Sequence, residues 1–163
     1  CESLCKYAKE KTNRQISAMA FWRQTATIAD DFKDDILNRD LKGADGLTLT
    51  MMPYVLDGGN DKRYPTIGNL VELKDALGDK KMPRGSMRGI LTALYQSREK
   101  AKQSFSRVRQ IGHGKGYMQP VVDALKSITG NELFKDDNAT PLFDALELLA
   151  AERKINPSGD DEQ

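Results

Sequence analysis

Residues 80–115 read KKMPRGSMRGILTALYQSREKAKQSFSRVRQIGHGK, a stretch with ten Lys or Arg residues and one acid, Glu99. The net charge of this basic segment (residues 80–115) is +9, whereas the whole chain of 163 residues carries +1. The remaining residues therefore carry −8. The sequence places a strongly basic element within an acidic body, and such an asymmetry is typical of a protein that meets a negatively charged partner.

The apolar residues of the basic segment recur at intervals of three and four positions, with one longer step of seven. Because an α-helix has 3.6 residues per turn, this spacing predicts one long helix with an apolar stripe. Ser86 is the predicted N-cap, and Gly112 is the predicted end of the helix. The stripe consists of Met87, Ile90, Leu91, Leu94, Ala101, Phe105, Val108 and Ile111.

The charged residues of this predicted helix also fall into order. Arg88, Arg98, Lys102 and Arg109 form a basic flank beside the apolar stripe, with Tyr95 among them, whereas Lys100 and Arg107 lie on the opposite side. The rise from the first to the last of the flank is about 32 Å, long enough to meet several phosphates of a nucleic acid. Tyr95 and the guanidinium planes could stack on exposed bases, which favours RNA or single-stranded DNA. The predicted nucleic-acid-binding residues are Arg84, Arg88, Tyr95, Arg98, Lys102, Arg107, Arg109, His113 and Lys115.

Two other interpretations of the basic segment stay open. It can be an ordinary surface helix whose Lys and Arg stems cover apolar surface. It can also dock on acidic segments of the same chain or of a neighbour, such as Asp30–Asp35. The sequence DDFKD in that run resembles the aspartate-rich motif of isoprenyl diphosphate synthases, which would imply carboxylates that hold magnesium against a diphosphate. The chain is too short for that fold and has no second such motif, so we interpret the run as a solvated acidic helix face.

The rest of the chain predicts a mainly α-helical single domain of five or six helices. Alternation of Leu47, Leu49 and Met51 with Thr48, Thr50 and Met52 indicates a strand, and Arg63–Tyr64 could return as the second strand of a hairpin. We therefore expect a small β-hairpin or extended arm near residues 46–66. The domain is predicted to cover residues 1–155, and residues 156–163 form an acidic tail predicted to be disordered. Helices are predicted at 2–12, 14–42, 69–77, 86–111, 120–129 and 142–154, with Thr140 as the N-cap of the last.

Composition narrows the function classes. No apolar run reaches the 18 or more residues of a membrane span, so no membrane partner is expected. Cys1 and Cys5 could supply only half of a zinc site, and the lone His113 has no ligand at a suitable spacing. We therefore expect no metal, no cofactor and no catalytic residue. Two cysteines without a disulfide framework favour a reducing compartment, so the protein is expected to be soluble and intracellular, or part of a virion.

Together these observations predict a non-enzymatic nucleic-acid-binding protein that uses a basic helix and the following glycine-rich loop, residues 84–115. A packaging, coat-like or replication accessory protein of a virus, phage or mobile element fits this description. The alternative is a structural or protein-interaction module that self-assembles, or that binds an acidic protein, through the same helix.

Overall fold

In the computed structural model, helices form most of the chain, and the predicted mainly α-helical class with a small antiparallel β element is confirmed. The structure describes residues 2–23, 32–56, 63–136 and 138–155. Within these ranges the α-helices are α1 (Glu2–Lys11), α2 (Ile67–Gly78), α3 (Arg84–Leu94), α4 (Arg98–Gly112), α5 (Met118–Thr129) and α6 (Leu142–Ile155). A π-helix covers Phe32–Asp40, short 3₁₀ turns cover Ala44–Gly46 and His113–Lys115, and the strands are β1 (Ala18–Met19) and β2 (Tyr54–Val55).

Helix α5 ends and helix α6 begins at the residues that the sequence predicts, whereas α2 begins at Ile67, two residues before its predicted start. The side chain of Thr66 caps α2 by accepting a hydrogen bond from the backbone N–H of Asn69 at 3.2 Å. The backbone N–H of Leu142 donates to the Thr140 hydroxyl at 3.4 Å, as expected if Thr140 caps α6. Gly130 follows α5 with a φ of +73°, the left-handed conformation in which glycine commonly ends a helix. Local capping chemistry therefore sets these boundaries.

The helices pack in two groups. Helix α2 contacts both α5 and α6, and α3 contacts α4. Leu70 and Leu73 of α2 are fully buried, as are Leu125 of α5 and Leu142 of α6. These side chains belong to a hydrophobic cluster that also includes Phe105 and Val108 of α4. The α3–α4 pair is thus attached to the other helices through the apolar stripe of the basic segment.

The helix predicted over residues 14–42 is wrong in its first part. Asn13 and Arg14 have φ values of +50° and +58°, which end α1 in a turn, and Ala18–Met19 then form β1. Helical structure is present again at Phe32–Asp40, where Phe32 and Ile36 are buried. The local pattern of apolar residues predicted a continuous helix because the strand partner of β1 lies far away in the sequence.

The β element near residues 46–66 is present, but its partner is not the one expected. Strand β2 pairs antiparallel with β1, with Ala18 opposite Val55 and Met19 opposite Tyr54, rather than with residues 63–64. Residues 47–52 before it form no regular helix or strand, and Leu47 and Leu49 are fully buried. Thr48 makes isolated bridges to Lys42 and Ala139 instead of joining a strand. This segment therefore runs through the core as an irregular chain.

Two predictions concern residues outside the described ranges. Residues 57–62 of the expected hairpin or arm and the acidic tail at 156–163 both fall there. The extent of the predicted single domain, 1–155, stays a prediction.

Candidate nucleic-acid interface

The basic segment forms two helices, and the prediction of one long helix is wrong. Helix α3 begins at Arg84 rather than after Ser86, and the chain leaves the helical path at Tyr95–Ser97 before α4 begins. The Ser97 hydroxyl accepts a hydrogen bond from the backbone N–H of Lys100 at 3.1 Å. The Asp45 carboxylate accepts a second one from the backbone N–H of Arg98 at 2.8 Å. These contacts satisfy donors at the start of α4 and stabilise the break.

The break divides the basic flank. Arg88 lies on α3, whereas Arg98, Lys102 and Arg109 lie on α4, so no single 32 Å line connects the four residues. On α4 itself, the three remaining members lie within about 40° of one another at 100° per residue, as predicted.

Both ends of the α4 part of the flank are engaged by acidic residues of the same chain. The Arg98 guanidinium donates to the backbone carbonyl of Asp45 at 3.1 Å. Arg109 forms an ion pair with Glu132. Of these two contacts, the one between charged side chains is the ion pair of Arg109, whereas Arg98 is held through a backbone carbonyl. Lys102 lines a cavity of about 400 Å³ with Phe105 and Glu132 among its other residues, and it too has an interaction partner.

Tyr95 lies at the break with an exposed fraction of 48 %. Its hydroxyl donates to the backbone carbonyl of Asp40 at 3.1 Å, which fixes the orientation of the ring. Partial burial, together with the charge of Asp40, raises the pKa of the Tyr95 hydroxyl, so this group stays a hydrogen-bond donor. Because the ring is already fixed in one orientation, stacking of a base on it costs little additional side-chain entropy.

The exposed basic side chains of the segment include Arg88, Lys100, Arg107, His113 and Lys115. No hydrogen bond or ion pair joins the side chains of Arg88, Arg107, His113 or Lys115 to another described residue, and the Lys100 ammonium donates only to Gln96 among these residues, at 3.3 Å. Lys100 and Arg107 lie on the solvent face of α4, opposite its buried stripe and about 10 Å apart along the axis. We call this set the exposed basic surface.

The glycine-rich loop extends the exposed basic surface beyond α4. Helix α4 ends at Gly112 as predicted, and His113–Lys115 form a 3₁₀ turn. Gly116 closes the turn with a φ of +76°, a conformation that residues with a Cβ rarely adopt. His113 and Lys115 are thereby presented on the same end of the molecule as the last turn of α4.

A buried carboxylate in α6 was not singled out by the sequence. Asp144 is 2 % exposed, and one of its oxygens accepts hydrogen bonds from the Thr50 hydroxyl at 3.0 Å, the Met51 N–H at 2.9 Å and the Tyr54 hydroxyl at 2.6 Å. Burial raises the pKa of Asp144 to about 7, and the three donors oppose that shift. Burial also raises the pKa of Tyr54 well above its ordinary value. This cluster ties α6 to the irregular segment 47–55.

The remaining features that the sequence analysis considered are the aspartate-rich run, metal ligands and membrane spans. Asp34 and Asp35 lie on the π-helix, whereas Asp30 and Asp31 fall outside the described ranges. Among the residues that the structure describes, no group of three or more His, Cys, Asp or Glu side chains is arranged to hold a metal ion. Within those same residues, none of the helices has the length and apolar character needed to cross a bilayer.

The sequence matches no protein-family model, and no curated protein matches it.

Proposed function

We propose that this protein is a non-enzymatic nucleic-acid-binding protein whose contact surface is the exposed basic surface together with Tyr95. The observation that carries the proposal is the charge asymmetry: the basic segment holds +9 against −8 for the rest of the chain, and four of its cations, Arg88, Lys100, Arg107 and Lys115, point to solvent without an acidic partner among the described residues. Lys and Arg without a partner are the groups that neutralise phosphates and release their counterions.

Phosphate contacts would supply most of the affinity, and they carry no sequence information. The half-exposed ring of Tyr95 adds a place for one unpaired base to stack, which favours RNA or single-stranded DNA over duplex DNA. Arg98 and Arg109 contribute less than the sequence pattern predicts, since each is already bound to a carboxylate or carbonyl of the chain. Arg84 and Lys102 likewise have partners of their own.

The test is charge reversal on the solvent face of α4. In the double variant Lys100→Glu with Arg107→Glu, two phosphate contacts are lost, so the slope of log K against log salt should shrink by about 1.4 for a single strand. The matched control is Lys6→Glu with Lys126→Glu, which makes the same charge change at exposed positions outside the basic segment. Equal losses of binding in the two variants would show that net charge alone matters and would contradict the assignment of the surface.

A second candidate function is self-assembly or binding to an acidic protein through the basic segment. The ion pair of Arg109 with Glu132 supports it, because a cation of the segment already meets a carboxylate of this chain. Charge segregation within one chain suits a head-to-tail contact between copies, as in a coat-like or packaging protein. Sedimentation at low and high salt tests it: assembly through charge should be lost at high salt and in the Lys100→Glu, Arg107→Glu variant. A monomer at both salt concentrations would exclude self-assembly.

A further inference from the structure

A groove with an apolar lining and a basic rim lies between α3 and α6. Its volume is about 380 Å³. Helix α3 contributes Met87 and Leu91, and helix α6 contributes Leu146 and Leu149. Because these pairs are three or four residues apart, each lies on one helix face and forms one wall. Met82, in the link before α3, also lines the groove.

The apolar lining is partly open to solvent. Met82 and Met87 are buried, whereas Leu91, Leu146 and Leu149 are only half-buried. A ligand that covers these leucines would remove apolar surface from water, which is favourable in proportion to the area covered. Methionine side chains adapt their shape readily, so this lining can fit an elongated apolar body.

The rim of the groove is cationic once its internal pairs are taken into account. Arg88 on α3 and Arg153 on α6 line the groove, and neither side chain has a hydrogen bond or ion pair with another described residue. The acidic lining residue Glu147 accepts hydrogen bonds from two guanidinium nitrogens of Arg23, Nε at 2.6 Å and Nη2 at 3.0 Å. Asp79 accepts a hydrogen bond from the backbone N–H of Lys81 at 2.7 Å and keeps its negative charge. Arg84 lines the groove as well, so the three arginines of the lining outnumber this one carboxylate, and the groove has a net positive charge.

The size of the groove selects the kind of occupant. Small-molecule sites have volumes of roughly 300–1,000 Å³, with an apolar lining and a few polar groups that fix orientation. A volume of about 380 Å³ lies at the lower end of that range and is small for a peptide helix with several anchoring side chains. An anionic group on the ligand complements Arg88 and Arg153, and arginine is well suited to binding a carboxylate through two hydrogen bonds.

We propose that the α3–α6 groove binds a free fatty acid, an unbranched apolar chain that ends in a carboxylate. The chain lies along the leucine and methionine walls, and the carboxylate contacts Arg88 or Arg153. The groove shares Arg88 with the exposed basic surface, but it contains neither Lys100 nor Arg107, the residues that test nucleic-acid binding, so it does not depend on that function. It gives Arg88 a ligand other than the phosphate that the sequence predicts.

The experiment is calorimetric titration of the full chain with dodecanoate, well below the concentration at which dodecanoate forms micelles. Dodecanoate should bind, and decanoate should bind at least tenfold more weakly because it has two fewer methylenes to bury. Dodecyltrimethylammonium, which has the same chain length and the opposite charge, should bind much more weakly than dodecanoate. In parallel, methionine-methyl NMR locates the ligand. The Met82 and Met87 resonances should shift, whereas those of Met51 and Met118, buried elsewhere, should not.

The variant Arg88→Gln with Arg153→Gln should weaken dodecanoate binding at least about tenfold, because the charged contact is lost. The control, Arg107→Gln with Lys126→Gln, removes two exposed charges away from the groove and should leave the affinity unchanged. The proposal is overturned if dodecanoate gives no heat and no shift at Met82 and Met87, if both head charges bind equally, or if the groove variant binds as the wild type does. None of these outcomes decides nucleic-acid binding, which the Lys100 and Arg107 variants test.

Discussion

Replacing Asp144 with asparagine should remove a pH-dependent loss of stability. The pKa of Asp144 is about 7 in the folded protein, against 3.8 for its ordinary value. Between these two pH values the folded state holds a proton that the unfolded state has released, so the free energy of unfolding falls as pH rises. From pH 4.5 to 7.5, linkage gives a loss of about 3 kcal/mol from this one group.

Asparagine has nearly the shape of protonated aspartic acid and does not ionise in this range. Urea unfolding of wild type and Asp144→Asn at pH 4.5, 6.0 and 7.5 measures the effect. The difference in stability between the two proteins should change by about 3 kcal/mol in favour of the variant as pH rises. Comparing the two proteins cancels the titration of all other groups.

The control for this experiment is Asp123→Asn, which removes an exposed carboxylate of α5. Its difference from wild type should change far less over the same pH range. Parallel curves for Asp144→Asn and wild type would refute the reasoning. A change of the opposite sign would show that the hydrogen bonds from Thr50, Met51 and Tyr54 outweigh the burial of Asp144.

Three further predictions concern stability, and denaturant unfolding tests each of them. Gly89→Ala should stabilise the protein by about 0.5–1 kcal/mol, because a Cβ at this position has free space around it. Gly112→Ala should destabilise it by about 1–3 kcal/mol, because the added Cβ would clash with the side chains of Met118 and Tyr117. Stability changes of the same sign in the two variants would contradict the packing at the end of α4. Ser97→Ala should cost about 1 kcal/mol by removing the cap of α4, and no cost would mean that Asp45 alone caps the helix. Glu147→Gln should cost about 1 kcal/mol at low salt and less at 1 M NaCl, because it weakens the ion pair with Arg23; a cost independent of salt would point to packing instead.

Local chemistry explains which parts of the fold the sequence could predict. Helices α1, α2, α5 and α6 lie where apolar spacing and capping residues placed them. The apolar spacing does not predict the break between α3 and α4. Leu94 and Ala101 are seven residues apart, which is about two helical turns, so the apolar stripe continues across the break. Ser97 followed by Glu99 in the first turn was the available signal for a new helix.

Features that depend on distant residues could not be predicted in the same way. Strand β1 forms because Ala18–Met19 pair with Tyr54–Val55, and the local sequence around residue 18 does not predict this distant partner. Asp144 is on the side of α6 opposite Leu142, where a single helix would expose it, yet the segment 47–55 covers it. For the candidate site, the sequence identified the basic segment but not which of its cations are bound to Asp45 and Glu132.

The most direct test of nucleic-acid binding is fluorescence polarisation of the wild-type protein with labelled single-stranded RNA, single-stranded DNA and duplex DNA. Four exposed cations in contact with a single strand predict about a fifty-fold loss of affinity between about 50 and 200 mM salt. We expect binding at the lower salt, this steep salt dependence, and tighter binding of the single strands than of the duplex. Absence of binding at 50 mM salt, or binding that does not change with salt, would contradict the proposed function.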